Sequence, residues 1–377
     1  MTAAAVRRAG LILFGLALFA AAGILASRPL AYDFTAYWRG ARHLLDGAPL
    51  YPAAATQGGV FLGFGEFLYE PLVAVAFIPF ALLPFEVAAW LWTGLLIVLA
   101  TALGIGLVLP FRPELRPWAA ATYALFFPLL AEITLGNLNL VTVVLALAAW
   151  RLRGRPKAAG AVLAAAIGLK LLPVALLLFY AAARRWRIVG WSLATGAAAV
   201  AVSMPFLAER WAEYMRLFAA VTRESSEFAI NVIPVALAEP PLRYVLPIAA
   251  IAIAVWAGLQ EHRGANVCAY HLALAAAPLL SPFFWYPYLI FAAPALWGAA
   301  VVLAGPWRYA AVAAFIALDL PSGRSPFPDI AFVGLLAVLV IAALAARGGT
   351  RGETRSRPAD ASSRRTASSP SGRSDTA

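Results

Sequence analysis

The chain has 377 residues, 63% of them hydrophobic and only 12% charged, about half the charge usual in soluble domains, with mean hydropathy +0.82. That composition excludes a soluble enzyme and describes a polytopic α-helical membrane protein. The formal net charge of +11 does not signal nucleic acid, because the basic residues fall in short loops between apolar runs and in the C-terminal segment, as the positive-inside rule expects.

In chain order, Arg7 and Arg8 precede an apolar run of about 18 residues, long for a signal-peptide core, which reads as an uncleaved first span at about 9–26 with the N-terminus inside. Residues 27–70 then form an outer loop holding Asp33, Arg39, Arg42, His43, Asp46 and Glu66. The apolar stretch 71–109 is broken at Pro79 and Pro84, and Arg112 and Arg116 behind it belong inside. An odd number of crossings follows, read as a half-helix or re-entrant segment over 71–84 and a full span over 87–109. Spans at about 118–134 and 138–150 are joined outside by Gly136-Asn137-Leu138-Asn139.

Two basic segments, Arg151 to Lys157 and Arg184 to Arg187, are both cytoplasmic by charge, and the roughly 26 residues between them are too few for two full spans. The simplest geometry is a re-entrant hairpin over 158–183 that turns at Lys170. Irregular backbone at depth survives only inside protein or beside water, so Lys170 faces a polar site or else snorkels to an interface. A span at about 188–206 leads to an outer loop at 207–241 with mixed charges, among them Arg223, Glu224 and Glu227, whose aromatics and prolines read as interfacial helices. Later spans fall at about 242–260, 266–280, 288–304, 309–321 and 329–346, with Ser281 to Tyr288 outside. Residues 347–377 carry seven arginines against three acidic residues and read as a disordered, basic cytoplasmic tail. Cys268 is the sole cysteine and the three histidines are scattered, so no disulfide, cysteine-based metal site or other metal-ligand spacing is expected, and no cofactor.

On this topology the unusual polar residues gather outside: Asp33, Glu66, Glu70, Asn137 and Asn139, Glu132 just below them, and the Arg223 cluster, with Lys170 reaching up from beneath. A carboxylate ringed by aromatics at a membrane boundary suits a general base on a sugar hydroxyl, or is an ordinary solvated loop residue.

The run Asp33-Phe34-Thr35-Ala36-Tyr37-Trp38-Arg39-Gly40 through Gly47-Ala48-Pro49-Leu50-Tyr51 resembles the first-loop signature of glycosyltransferase family 87, membrane mannosyl- and arabinosyltransferases of the GT-C superfamily. Tyr69-Glu70-Pro71-Leu72 is similar to the family's Tyr-Pro-Pro-Leu, and Gly136-Asn137-Leu138-Asn139 to its Gly-Gln-x-Asn. The stretch from Ala159-Gly160 to Lys170-Leu171-Leu172-Pro173 and the basic run after it is similar to a further segment, and Ser281-Pro282-Phe283-Phe284-Trp285 to its Ser-Pro-x-x-Trp. Two departures are Asn137 in place of Gln and Glu70 in place of Pro. Where members often carry a His pair after the tryptophan, this chain has Tyr286, Pro287 and Tyr288.

The resemblance implies an all-α GT-C-like bundle of about 11–13 transmembrane or re-entrant helices over residues 1–346. It implies transfer of a hexose or pentose, foremost mannose, from a polyprenyl-phosphate donor to a lipid- or glycan-linked acceptor, with inversion, on the non-cytoplasmic face of the cell's inner (plasma) membrane. Asp33 is then the catalytic base. Lys170 and, second, Arg223 bind the donor phosphate, and Tyr37, Glu70, Asn137, Asn139, Trp285 and Tyr288 are candidates for substrate contact. The competing readings are a transporter or flippase of lipid-linked sugars and a non-catalytic scaffold.

Overall fold

The computed structural model describes residues 2–27, 31–51, 66–224, 244–281, 284–303, 306–319 and 327–352, the side chains of 221–224, 308, 327–329 and 348–352 excepted. Among the described residues there are fifteen α-helices and no strand. They are α1 (Ala3–Ala26), α2 (Phe34–Leu45), α3 (Pro71–Ala81), α4 (Phe85–Val108), α5 (Arg116–Ala124), α6 (Phe127–Leu135), α7 (Asn139–Arg151) and α8 (Pro156–Leu169). Then come α9 (Ala175–Ala182), α10 (Trp186–Glu224), α11 (Val245–His262), α12 (Cys268–Ala276), α13 (Ala293–Val302), α14 (Pro306–Asp319) and α15 (Phe327–Gly352). By length and composition α1, α4, α10, α11 and α15 are each able to cross a membrane, and α5 with α6, bent by 47°, forms a sixth such unit. The protein is an all-α, multi-pass membrane protein.

The helix directions sort the chain ends of the bundle. Two cavities of about 330 and 710 Å³ lie toward one end and share Pro110 and Val301. Between them they touch Ala3 and Val6 of α1, Arg112 and Glu114 of the α4–α5 turn, Arg151 at the end of α7 and Asn266 before α12. Arg185 pairs with Glu261 of α11 at 2.8 Å, and Asn266 donates to the Ala345 carbonyl of α15 at 3.0 Å. The arginine-rich turns therefore share one end. α7 climbs away from it to Asn139, and α8 climbs from Pro156 to Lys170, where the backbone turns extended (φ −160°, ψ 128°). A short 3₁₀ turn at Leu172–Val174 and α9 return the chain to Arg184. The two arms pack differently: α8 lies against α7 and α10, and α9 against α11.

At the other end α2 and α3 pack on each other. Trp38 Nε1 donates to the Leu83 carbonyl at 3.2 Å, so the 71–84 segment lies beside α2, and of α3 and α4 only α4 is long enough to cross a membrane. α2 is amphipathic: Phe34, Tyr37, Gly40 and Ala41 are buried at helical spacing while Arg39, Arg42 and His43 face out.

Two boundaries differ from the sequence reading and one coincides with it. α1 begins at Ala3, N-capped by Thr2, so Arg7 and Arg8 lie within it. The break read at 206 is present as non-helical backbone at Leu207 (φ −127°) behind Pro205; a second helical stretch follows to Glu224 in the segment read as interfacial helices, and 225–241 lie outside the described residues. Proline removes one backbone hydrogen bond and kinks or breaks a helix. α15 runs to Gly352, past the start of the basic tail, and 353–377 lie outside the described residues.

Candidate functional site

Asp33 is held from both sides in sequence. Before it, Ala31 takes a left-handed conformation (φ 66°), its amide donates to the Thr134 carbonyl at 2.8 Å, and the Asp33 amide donates to Leu135 at 2.6 Å. After it, Phe34 is fully buried, stacked on Trp92 at 5.8 Å and ringed by Phe77, Phe80 and Phe85. The receiving backbone is the C-terminus of α6, closed by Gly136 in the left-handed region (φ 71°), whose carbonyl accepts from Trp92 Nε1 at 2.8 Å. A Cβ on Gly136 would sit 3.0 Å from the Ala31 Cα, so glycine is required there both for its dihedral and for its bareness.

Asp33 occupies the N-cap position of α2 but makes no capping bond. Its carboxylate turns across the bundle to Asn137, whose Nδ2 donates to Oδ2 at 2.6 Å; Oδ1 accepts no bond among the described residues. The other end of the Asn137 amide, Oδ1, accepts from Lys170 Nζ at 3.3 Å and from the Asn139 amide at 3.2 Å. One buried amide thus stands between a carboxylate and an ammonium. The Lys170 head rests 4.4 Å from the Tyr288 ring centroid and 5.8 Å from that of Tyr69, and Tyr69 meets Tyr37 hydroxyl to hydroxyl at 3.0 Å. Asn139, also fully buried, donates to Glu132 Oε1 at 2.5 Å, while Glu132 Oε2 accepts from the Leu140 amide at 3.2 Å.

Asp33 is 8% exposed, and that burial lifts its carboxyl above the usual range; the Asn137 bond and the Lys170 charge pull it partly back. Glu70, for its part, is raised by burial to about 8.

The structure brings together Asp33, Tyr37, Asn137, Asn139, Lys170 and Tyr288. Glu70 occupies the N-cap position of α3 without a side-chain capping bond, and its Oε2 faces Gly168 in the last turn of α8, two residues before Lys170. Trp285 is half-buried and its carbonyl accepts from the Tyr288 amide at 2.8 Å. Pro282 and Phe283 of the same motif lie outside the described residues, as does the Arg223 side chain in the last turn of α10. Glu66 is exposed. Sequence reasoning named Glu132 only as a neighbour; an isolated carboxylate within an apolar helix was the signal that marked it. Tyr69 entered only as part of a motif. Among the described residues no group of three or more His, Cys, Asp or Glu is gathered to hold a metal ion.

Residues 67–282 match the model of glycosyltransferase family 87, a stretch that includes Tyr69, Glu132, Asn137 and Lys170. The chain is 29% identical over 352 residues to the polyprenol-phosphate-mannose-dependent alpha-(1-2)-phosphatidylinositol mannoside mannosyltransferase of Mycolicibacterium smegmatis, covering 81% of this chain and 78% of that one. The Mycobacterium tuberculosis protein of the same description is 32% identical over 211 residues, half of this chain (50%) and 48% of its own. A polyprenol-phosphate-mannose-dependent alpha-(1-2)-phosphatidylinositol pentamannoside mannosyltransferase of M. smegmatis is 33% identical over 146 residues, 36% of this chain and 34% of that one. No solved structure matches.

Proposed function

The chain belongs to glycosyltransferase family 87 and is a membrane glycosyltransferase, and from that premise we propose that it moves a mannosyl group from a polyprenyl-phosphate donor to a lipid-linked glycan acceptor of the phosphatidylinositol mannoside kind. The single observation that carries the chemistry is the pairing of Asp33 and Lys170 on opposite ends of the Asn137 amide.

In this reading the Asp33 carboxylate takes the proton from an acceptor hydroxyl as that oxygen bonds to the sugar's anomeric carbon. The bond from that carbon to the donor phosphate breaks, its electron pair leaves on the polyprenyl phosphate, and the anomeric configuration inverts. Negative charge grows on the leaving phosphate. Lys170 has three N–H donors, of which Asn137 takes one, and the other two serve phosphate oxygens. The phenol–phenol pair of Tyr37 and Tyr69 borders this chemistry with a polar edge on an aromatic wall. Asp33 itself is raised by burial, which makes it a stronger base than an exposed aspartate.

The site lies at the end of the bundle away from Arg112, Arg151 and Arg185. Arginine-rich turns stay in the cytoplasm, which supports the reading that the reaction is on the non-cytoplasmic face of the membrane. The test is incubation of the purified protein with radiolabelled polyprenyl-phosphate mannose and a phosphatidylinositol mannoside. Label in the mannoside that is lost in Asp33→Asn supports the reading. Unreacted donor that instead crosses the bilayer of proteoliposomes supports the flippase alternative and refutes transfer.

A further inference from the structure

The chemistry above occupies one end of the bundle, and the arginine-rich end holds a buried group that it leaves unused. His271 in α12 is 8% exposed, and its Nδ1 has no hydrogen-bond partner among the described residues. Gly298 of α13 leaves that nitrogen uncovered, since a Cβ there would lie 2.7 Å from it. A buried polar atom without a partner is costly, so it marks the place of a missing group. A lone water is a poor answer, because it needs about two to four polar partners. Asn266, which lines the same cavity, already donates to the Ala345 carbonyl and accepts from the Cys268 amide, and the Cys268 thiol is only a weak partner.

His271 lines the cavity of about 330 Å³ whose walls include Leu103 and Leu107 of α4 and Val144 and Leu147 of α7. The cavity opens sideways. Ala102, Gly106 and Pro110 line it and are exposed on a flank of α4 where Val98, Ile105 and Leu109 also face out, so small residues leave a groove between large ones. Arg151, the last residue of α7, stands at its rim. It is exposed and makes no hydrogen bond, ion pair or ring contact among the described residues. No acidic side chain is among the residues that line this cavity. The adjoining cavity of about 710 Å³, reached past Pro110 and Val301, carries both Arg112 and Glu114, so it adds apolar room without a preference for charge.

An unpaired arginine above an apolar groove, at the end where basic turns meet the membrane surface, suits a lipid phosphate. His271 lies about one helical turn inward from the start of α12, the depth at which a phospholipid carries its ester groups below its phosphate.

We propose that this cavity binds an anionic diacyl phospholipid of the adjacent leaflet. Its phosphate sits on the Arg151 guanidinium. One acyl chain lies between α4 and α7, and the second enters the adjoining cavity. A water shared by an ester carbonyl and Nδ1 completes His271, the lipid supplying the partner that a lone water lacks.

The test uses the purified full chain, exchanged into nonionic detergent, and reads its thermal midpoint as single lipids are added. Dioleoylphosphatidylglycerol is expected to raise the midpoint by about 3 °C or more beyond dioleoylphosphatidylcholine, and inorganic phosphate at the same concentration to leave it unchanged. Arg151→Gln is expected to erase that preference, and Arg39→Gln, exposed on α2 at the other end, to keep it. Gly106→Leu fills the groove and is expected to remove the response to phosphatidylglycerol; a Cβ at Gly106 meets nothing within 4 Å, so the fold accepts it. Ester-linked phosphatidylglycerol is expected to act more strongly than its ether-linked counterpart on the wild type, and equally with it on His271→Leu. Each lipid is compared within one variant, so differences in intrinsic stability cancel.

Equal shifts from the two headgroups overturn the site, as does a preference that survives Arg151→Gln or Gly106→Leu. A matching shift from inorganic phosphate makes it an anion site without a lipid and overturns it too. Equal shifts from ester and ether lipids on the wild type overturn the part given to His271. None of these readouts depends on turnover, so an inert protein with the lipid preference sinks the proposed function alone.

Discussion

Replacing Asn137 by alanine takes away the amide that links the two charges of the site. Asn137 is fully buried, and the change deletes a 2.6 Å bond to Asp33 and a 3.3 Å bond from Lys170. A hydrogen bond to a charged group contributes about 1.5–3 kcal/mol, and each 1.4 kcal/mol or so is a tenfold change in rate, so kcat/KM is expected to fall about 10- to 100-fold. The pH dependence moves with a definite sign. Burial already holds the Asp33 carboxyl above the usual carboxylate range, and the Asn137 bond favours its ionised form. Without that bond the carboxyl rises further. A base works only when ionised, so the acid limb of kcat/KM against pH shifts to higher pH, and part of the lost activity returns as pH is raised. The assay is initial-rate transfer from labelled donor across pH for the wild type and the variant. An unchanged acid limb with kcat/KM within about twofold of wild type refutes the linkage.

Gly136→Ala forces a side chain into a left-handed residue at a cost of about 1–2 kcal/mol and sets its Cβ 3.0 Å from Ala31. A lower thermal midpoint and about a tenfold loss of kcat are expected as the Asp33 segment is pushed aside. Gly258→Ala drives a Cβ into the Phe179 carbonyl, a backbone atom that moves only if α9 and α11 separate. Differential scanning should show destabilisation of about 1–3 kcal/mol, with residual turnover in whatever protein stays folded. Asp46→Asn is the control. Its side chain is 56% exposed and pairs with Arg42 at 3.5 Å, so turnover and melting should match wild type.

Much of this arrangement was legible in the chain. The break at Lys170 followed from two basic segments too close together for two spans, and the helix ends at Leu169 with Lys170 extended. The half-helix at 71–84 followed from charge alternation, and α3 lies beside α2. What was not legible depends on side-chain direction and on partners far apart in sequence. Asp33 and Asn137 are separated by 104 positions, and no periodic pattern announces such a pair; motif resemblance put them in one group. Tyr69 meets Tyr37, and the neighbouring Glu70 faces Gly168 of α8, both partners distant in sequence. The break after Pro205 was legible in the proline, and the backbone is non-helical at Leu207.

The central claim is that Asp33 takes the acceptor's proton. Asp33→Asn keeps the size of the side chain and removes its basicity, so the most direct measurement is kcat for transfer from labelled polyprenyl-phosphate mannose by purified wild type and variant, matched for folded protein by thermal melting. The account predicts a fall of about 10²-fold or more with the thermal midpoint of the variant close to that of wild type. Turnover near the wild-type rate, with an unaltered pH profile, would contradict it and return the carboxylate to the status of a buried structural group.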